Sequence, residues 1–126
     1  MEQILKEVLG YIKTNNLIGI RAGRDRETFL DIWMVVVDDR VFARSWGLSE
    51  KSWFHLFKKD PAGAIRCGEK IIPVSASAVA NDVQLNERIN TAYLEKYNYG
   101  ENAPYAQGIT KPEHVAKTME FLLVTE

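Results

Sequence analysis

The sequence predicts an α+β fold, a small antiparallel barrel with helices at its periphery. Phe29 to Val37 and Val41 to Trp46 are dense in β-branched and aromatic residues. Asp38-Asp39-Arg40 between them suits a hairpin, because Asp tolerates turn geometry. Ala64 to Cys67 and Lys70 to Ser75 repeat the pattern around Gly68-Glu69. Helical segments interleave with these strands without the βαβ alternation of a parallel sheet.

The elements follow in order. Ile4, Leu5, Val8, Leu9 and Ile12 recur at helical spacing, so a first amphipathic helix ends near Asn15-Asn16. Ile18 to Ala22 is a short strand, followed by the polar turn Gly23-Arg24-Asp25-Arg26. In the strand beginning at Val41, alternation places Phe42, Arg44 and Trp46 on one face and Val41, Ala43 and Ser45 on the other. Ser49 or Ser52 can cap a short helix carrying Trp53, Leu56 and Phe57, which Asp60-Pro61 terminates. Pro73 marks its strand as an edge or a strand end. Asn81 with Gln84 resembles a capping box opening a helix to about Tyr97, its buried side including Leu85, Ile89, Ala92 and Tyr93. Asn98 to Gly108 reads as loop, Pro112 suits the first turn of a short helix, and Thr118 to Val124 is a closing strand.

The totals bound the function. A chain of 126 residues that is 46% apolar fits one domain, residues 1–126, with a core needing no metal or disulfide staple. A net charge of −1 lacks the excess of Lys and Arg that a nucleic-acid footprint requires. Cys67 is the lone cysteine, which favours a reducing compartment. The acidic N-terminus has no long apolar run, so neither a signal peptide nor a membrane span is expected, and the cytoplasm is the default.

Three segments carry a resemblance. Thr28-Phe-Leu-Asp-Ile-Trp-Met-Val-Val-Val37, Val41-Phe-Ala-Arg-Ser45 with Trp53-Phe54, and Ala92-Tyr-Leu-Glu-Lys-Tyr97 resemble a family catalogued as a domain of unknown function. That family is similar to the pyridoxamine-phosphate-oxidase and deazaflavin-dependent nitroreductase split barrels. The resemblance implies an α+β small antiparallel split β-barrel with peripheral helices, a homodimer, and a flavin cofactor at the subunit interface. It ranks FMN ahead of deazaflavin, since Gly23-Arg24-Asp25-Arg26 lacks the Ser and second Gly of the nitroreductase Gly-Arg-x-Ser-Gly turn.

The candidate cofactor-binding residues are Arg44, Ser45, Trp46, Gly47 and Trp53. An Arg fork, a Ser hydroxyl and a helix start near Ser52 together suit a phosphate, and Trp46 or Trp53 can flank a flat ring. The alternatives are plain: Arg44 pairs with a carboxylate, Ser45 packs, and the tryptophans fill a core or a dimer interface. Trp33 is expected in the core. Arg21, Arg24 and Arg26 form a basic turn that Asp25 and Glu27 partly neutralise. His55 and His114 lack metal-ligand spacing, so no metal is expected. Tyr93, Lys96 and Tyr97 fit either a pocket lining or packing with a snorkelling lysine.

Two readings follow. One is an FMN-binding protein, an oxidoreductase whose cofactor carries the chemistry while the protein positions it. The other is a non-catalytic dimeric split-barrel scaffold, or small-molecule binding module, that has lost the flavin. A weaker third is a hydrolase or isomerase using His55 or Tyr93.

Overall fold

A computed structural model describes residues 2–23, 28–47, 52–79 and 81–124 of the chain. Helix α1 (Glu2–Thr14) buries Val8, Leu9 and Ile12 and leads into strand β1 (Ile18–Ala22). The apolar run that the sequence presents as one strand is two: β2 (Leu30–Ile32) and β3 (Val35–Val37). The break at Trp33-Met34 has a topological cause. The seven strands form one antiparallel sheet in the order β2-β1-β5-β6-β7-β4-β3, so β2 and β3 occupy opposite edges.

Ile32 and Val35 are three residues apart and thus separated by at most about 10 Å, so the two edges must approach each other. A sheet with neighbouring edges is curled. The result is an antiparallel split β-barrel, and the helices lie around it.

The β3–β4 hairpin turns at Asp38 and Asp39, both with positive φ (53° and 60°), the geometry of a type I′ turn. Strand β4 (Arg40–Arg44) alternates as the sequence predicts. Val41 and Ala43 face the barrel core, with Ile12, Ile20, Ile65, Val74 and Phe121. Phe42 faces the other way, into a second cluster with Val35, Val37, Ile89, Tyr93 and Tyr97. The hairpin is therefore covered on both faces, which explains why β3 reads as uninterrupted valine.

Helix α2 (Trp53–Lys59) follows Ser52 and stops where Asp60 turns extended before Pro61. Strands β5 (Ala62–Cys67) and β6 (Lys70–Ala78) form the second hairpin. Pro73 corrects the expectation of an edge. It lies inside β6, which pairs with β5 on one side and β7 (Thr118–Leu123) on the other. Its carbonyl accepts the N–H of Val124, just past the end of β7, so its missing donor falls where the neighbour has run out.

Helix α3 (Val83–Tyr97) is capped by Asp82, whose carboxylate accepts from the Leu85 N–H, one residue later than the expected Asn81 box. The segment expected as loop contains a 3₁₀ turn (Gly100–Asn102) and helix α4 (Ala103–Gly108), and Pro104 sits at the helix start. Helix α5 (Pro112–Val115) begins at the expected proline. No helix among the described residues is long and apolar enough to cross a membrane.

Candidate functional site

The end of β4, the start of α2, strands β1 and β2, and α4 wall a cleft of about 670 Å³. Such a volume lies within the range of small-molecule sites, roughly 300–1,000 Å³. Arg44, Ser45, Trp46, Gly47 and Trp53 all lie on its wall, brought together by the exit of the chain from β4 and its return into α2. Phe29, Leu30 and Trp33 line it from the other sheet edge.

Arg44 is nearly inaccessible, and the chain itself occupies its donors. Nε donates to Thr118 Oγ1 (2.9 Å); Nη1 donates to Asn90 Oδ1 and to the Ile109 carbonyl (3.2 Å). Nη2 donates to the Asn86 carbonyl (3.1 Å), with a longer contact to Asn86 Oδ1 at 3.4 Å. The five N–H groups of a guanidinium are thereby matched. None of these partners is a carboxylate, so the ion pair considered from sequence is not what holds Arg44. Burial lowers its pKa to about 10, which leaves it charged at neutral pH. Arg44 thus places fixed positive charge behind the cleft wall and ties β4 to α3.

Ser45 is also buried, its hydroxyl donating to the Gly47 carbonyl at 2.6 Å. Strand β4 ends at Arg44, and the Ser45 N–H still donates to the Lys117 carbonyl at 3.1 Å. Trp53 belongs to the core, against Phe57 and Phe121, and still contributes to the cleft. Trp46 differs: it is 49% exposed.

The polar atoms without partners lie elsewhere than the sequence suggests. Among the described residues, Arg21 Nε and Ser52 Oγ are buried with no hydrogen-bond partner, and both residues line the cleft. Ser52 sits at the N-cap of α2 but makes no side-chain cap bond. The guanidinium of Arg21 lies 4.8 Å from the centre of the Phe29 ring. Arg24 and Arg26, grouped with Arg21 from sequence, lie outside the described residues. Arg21 and Arg44 outnumber Asp31 as charged groups on the described wall, giving it a positive balance that suits an anion.

Trp33 is only partly buried and stacks on Tyr97, with centroids 4.1 Å apart. Tyr93, Lys96 and Tyr97 do not line the cleft. Tyr93 Oη accepts the Arg44 N–H at 2.8 Å, and Tyr97 Oη accepts the Met34 N–H at 3.1 Å while donating to the Asn16 carbonyl at 2.7 Å. Lys96 Nζ donates to the carbonyls of Ile12 and Met34 (2.7 Å to the latter), and burial lowers its pKa to about 8. The helix is a clasp over the strand crossing.

His55 is half-buried beside Lys117, with 3.3 Å between Nε2 and Nζ. His114 is buried, and its Nδ1 lies 3.0 Å from the Ser45 carbonyl, which makes Nδ1 the protonated nitrogen. Burial raises the Cys67 thiol to about 11, the behaviour of a packed hydrophobe. Among the described residues, no group of three His, Cys, Asp or Glu is placed to hold a metal.

The comparisons with known proteins agree on the fold. A protein from Listeria innocua assigned as a pyridoxamine 5'-phosphate oxidase superposes with a TM-score of 0.58 at 14% identity, over 98% of this chain and 94% of that one. An FAD-binding protein from Mesorhizobium loti gives 0.55 at 11%, over 96% and 88%. The heme storage protein HutZ from Vibrio cholerae gives 0.61 at 12%, over 96% and 89%. At these identities the likeness is one of fold. No curated protein matches the sequence. A family model described as an uncharacterized protein conserved in bacteria matches residues 9–121, and the chain belongs to that family, DUF2255.

Proposed function

We propose that the cleft binds a flat heteroaromatic ligand with an anionic group, FMN before other flavins, and that the protein works as a homodimer. One observation carries the reading. Two buried polar atoms, Arg21 Nε and Ser52 Oγ, have no partner among the described residues, and their residues line a cleft whose remaining wall is largely apolar and includes Phe29, Trp33, Trp46, Trp53 and Tyr105. Unpartnered buried polar groups are costly, and a ligand that supplies acceptors removes the cost.

Arg21 and Ser52 would meet the anionic end. Arg44 would act through its charge, and Ser45, Gly47 and Trp53 would shape the wall beside Trp46. When bound, a flavin supplies two-electron or one-electron redox chemistry, so the chain need provide only position and electrostatics. The oxidoreductase reading rests on that division of labour. The fold neighbours assigned to pyridoxamine-phosphate oxidation and FAD binding support it by analogy, and the analogy concerns fold.

The dimer reading rests on the rim. Leu17, Leu30, Trp46 and Tyr105 line the cleft and are each about half exposed, a concentration of large apolar side chains that a second copy would cover.

A specific observation favours the second reading, a non-catalytic small-molecule module of the same fold. The Arg44 donors and the Ser45 hydroxyl are all engaged within the chain, so the phosphate fork expected there is closed.

The test is an FMN titration of the purified protein, followed by flavin fluorescence and visible absorbance, with hemin and pyridoxal phosphate in parallel. Saturable one-to-one binding of FMN, weakened by Arg21→Gln, is expected. A protein that leaves flavin fluorescence unchanged at every concentration would sink the flavin reading. Binding without turnover with any electron donor would favour the module.

A further inference from the structure

Trp46 is half exposed, yet it is fixed on several sides. Its ring lies on His114, centroids 4.5 Å apart and planes 10° from parallel. The Tyr105 ring meets it edge-on at 5.4 Å. His114 is itself held, buried with Nδ1 bonded to the Ser45 carbonyl, one residue before Trp46 in the chain.

Gly108, the last residue of α4, completes the seat. A Cβ there would lie 2.8 Å from Trp46 Cη2, closer than real Cβ atoms approach, and 3.0 Å from Cζ3. The backbone of Gly108 is not in the left-handed region, so glycine is not required by its φ. What it supplies is room for the indole.

A half-exposed tryptophan on a cleft wall would ordinarily sample several rotamers. Here the backing ring and the edge contact brace the orientation that the missing Cβ makes room for, with one indole face covered by imidazole and the residue still half open. Such a plane is ready for a second flat ring, because its ordering cost has been met before binding.

We propose that His114 and Gly108 are positioning residues that hold Trp46 as a preformed stacking face, and that this face selects planar ring systems for the cleft. The proposal rests on the reading of the cleft as a flat-ring site and adds to it the residues that set ring selectivity. His114 and Gly108 act through Trp46, not on the ligand.

The experiment compares wild type with Gly108→Ala, His114→Ala, His114→Phe and Trp46→Leu. Near-ultraviolet circular dichroism and melting temperature are read on the unliganded proteins, and affinities for FMN and riboflavin by fluorescence titration. Gly108→Ala is the discriminating variant, because its added methyl meets only the indole of Trp46 at close range and the backbone needs no left-handed φ, so the chain should still fold cooperatively while the indole is displaced. Its tryptophan dichroism is expected to fall towards that of Trp46→Leu. Both flavins should bind about tenfold more weakly, since the lost contact is to the ring they share. His114→Phe keeps a flat ring under the indole and should retain affinity that His114→Ala loses.

Gly108→Ala with unchanged dichroism and unchanged affinities would overturn the proposal. Equal losses in His114→Phe and His114→Ala would remove the stacking role of His114. Wild-type protein that binds neither flavin overturns the flavin reading instead; the dichroism of Gly108→Ala then decides alone whether Gly108 seats Trp46.

Discussion

Trp33 lies flat on Tyr97, ring centroids 4.1 Å apart and planes 7° from parallel, where the chain passes from one sheet edge to the other. The backbone there belongs to neither ladder, so its polar groups need partners from outside the sheet. Helix α3 supplies them: Tyr97 Oη accepts the Met34 N–H, and Lys96 Nζ donates to the Met34 carbonyl. Tyr97→Phe keeps the stack and removes the hydroxyl, leaving Met34 N–H and the Asn16 carbonyl short of a partner. The expected loss is about 1–3 kcal/mol, read from urea midpoints at constant slope.

Arg44→Ala leaves acceptors on Asn86, Asn90, Ile109 and Thr118 without their donor. A destabilisation of about 2–4 kcal/mol is expected by chemical denaturation. Arg44→Lys should recover little of it, because a single ammonium cannot span acceptors arranged around a planar fork.

Stability should depend on pH through Lys96. Its folded pKa is lowered to about 8 from an ordinary 10.5, chiefly by burial. Between these values the unfolded chain binds more protons than the folded one, so stability rises with pH above 8. Cys67, Tyr93 and Tyr97 act in the opposite sense, since burial raises all three and the unfolded chain releases those protons first. The expected profile of melting temperature climbs from about pH 8 and turns over near pH 9–10 as thiol and phenols titrate in the unfolded chain. Lys96→Met should abolish the climb and keep the fall.

Gly63 in β5 has no room for a side chain: a Cβ would lie 2.4 Å from the Arg21 carbonyl and 2.5 Å from the Phe57 ring. The nearer obstacle is backbone of a paired strand, Ala22 being the Gly63 partner in β1. Gly63→Ala should destabilise the protein by about 1–3 kcal/mol. It should also weaken FMN binding through displacement of Arg21, measured at a temperature where the variant remains folded.

Much of this was legible in the sequence. Alternation placed Phe42 and Arg44 opposite Val41 and Ala43, because each face of β4 meets a different apolar cluster. The Arg44-to-Trp53 segment came together as one wall because chain neighbours around a short connection stay neighbours in space. The split of the run at Trp33-Met34 was not legible, since a strand that leaves one edge for the other keeps its β composition throughout. Nor were the unpartnered atoms of Arg21 and Ser52 on the cleft wall, or the placing of Gly108 and His114 against Trp46, since the four share no spacing along the chain. A glycine that makes room and a serine that fails to cap look like any other glycine and serine. The loop reading of 98–108 failed because helix α4 is too short to show a period.

The clasp of α3 over the strand crossing also sets an order of events. Met34 and Arg44 have their backbone donors satisfied by residues Tyr97 and Tyr93, and Ile12 is bridged by Lys96, all far along the chain. Contacts so distant in sequence carry a high loop-closure cost and slow folding. During synthesis the first hairpin can form early, but the edges cannot be locked together until α3 has left the ribosome. A nascent chain that stops short of it also lacks β7, so β6 and β4 each carry an unpaired edge as well as the outer strands β2 and β3, and the apolar interior is open, the form in which this protein is most exposed to aggregation.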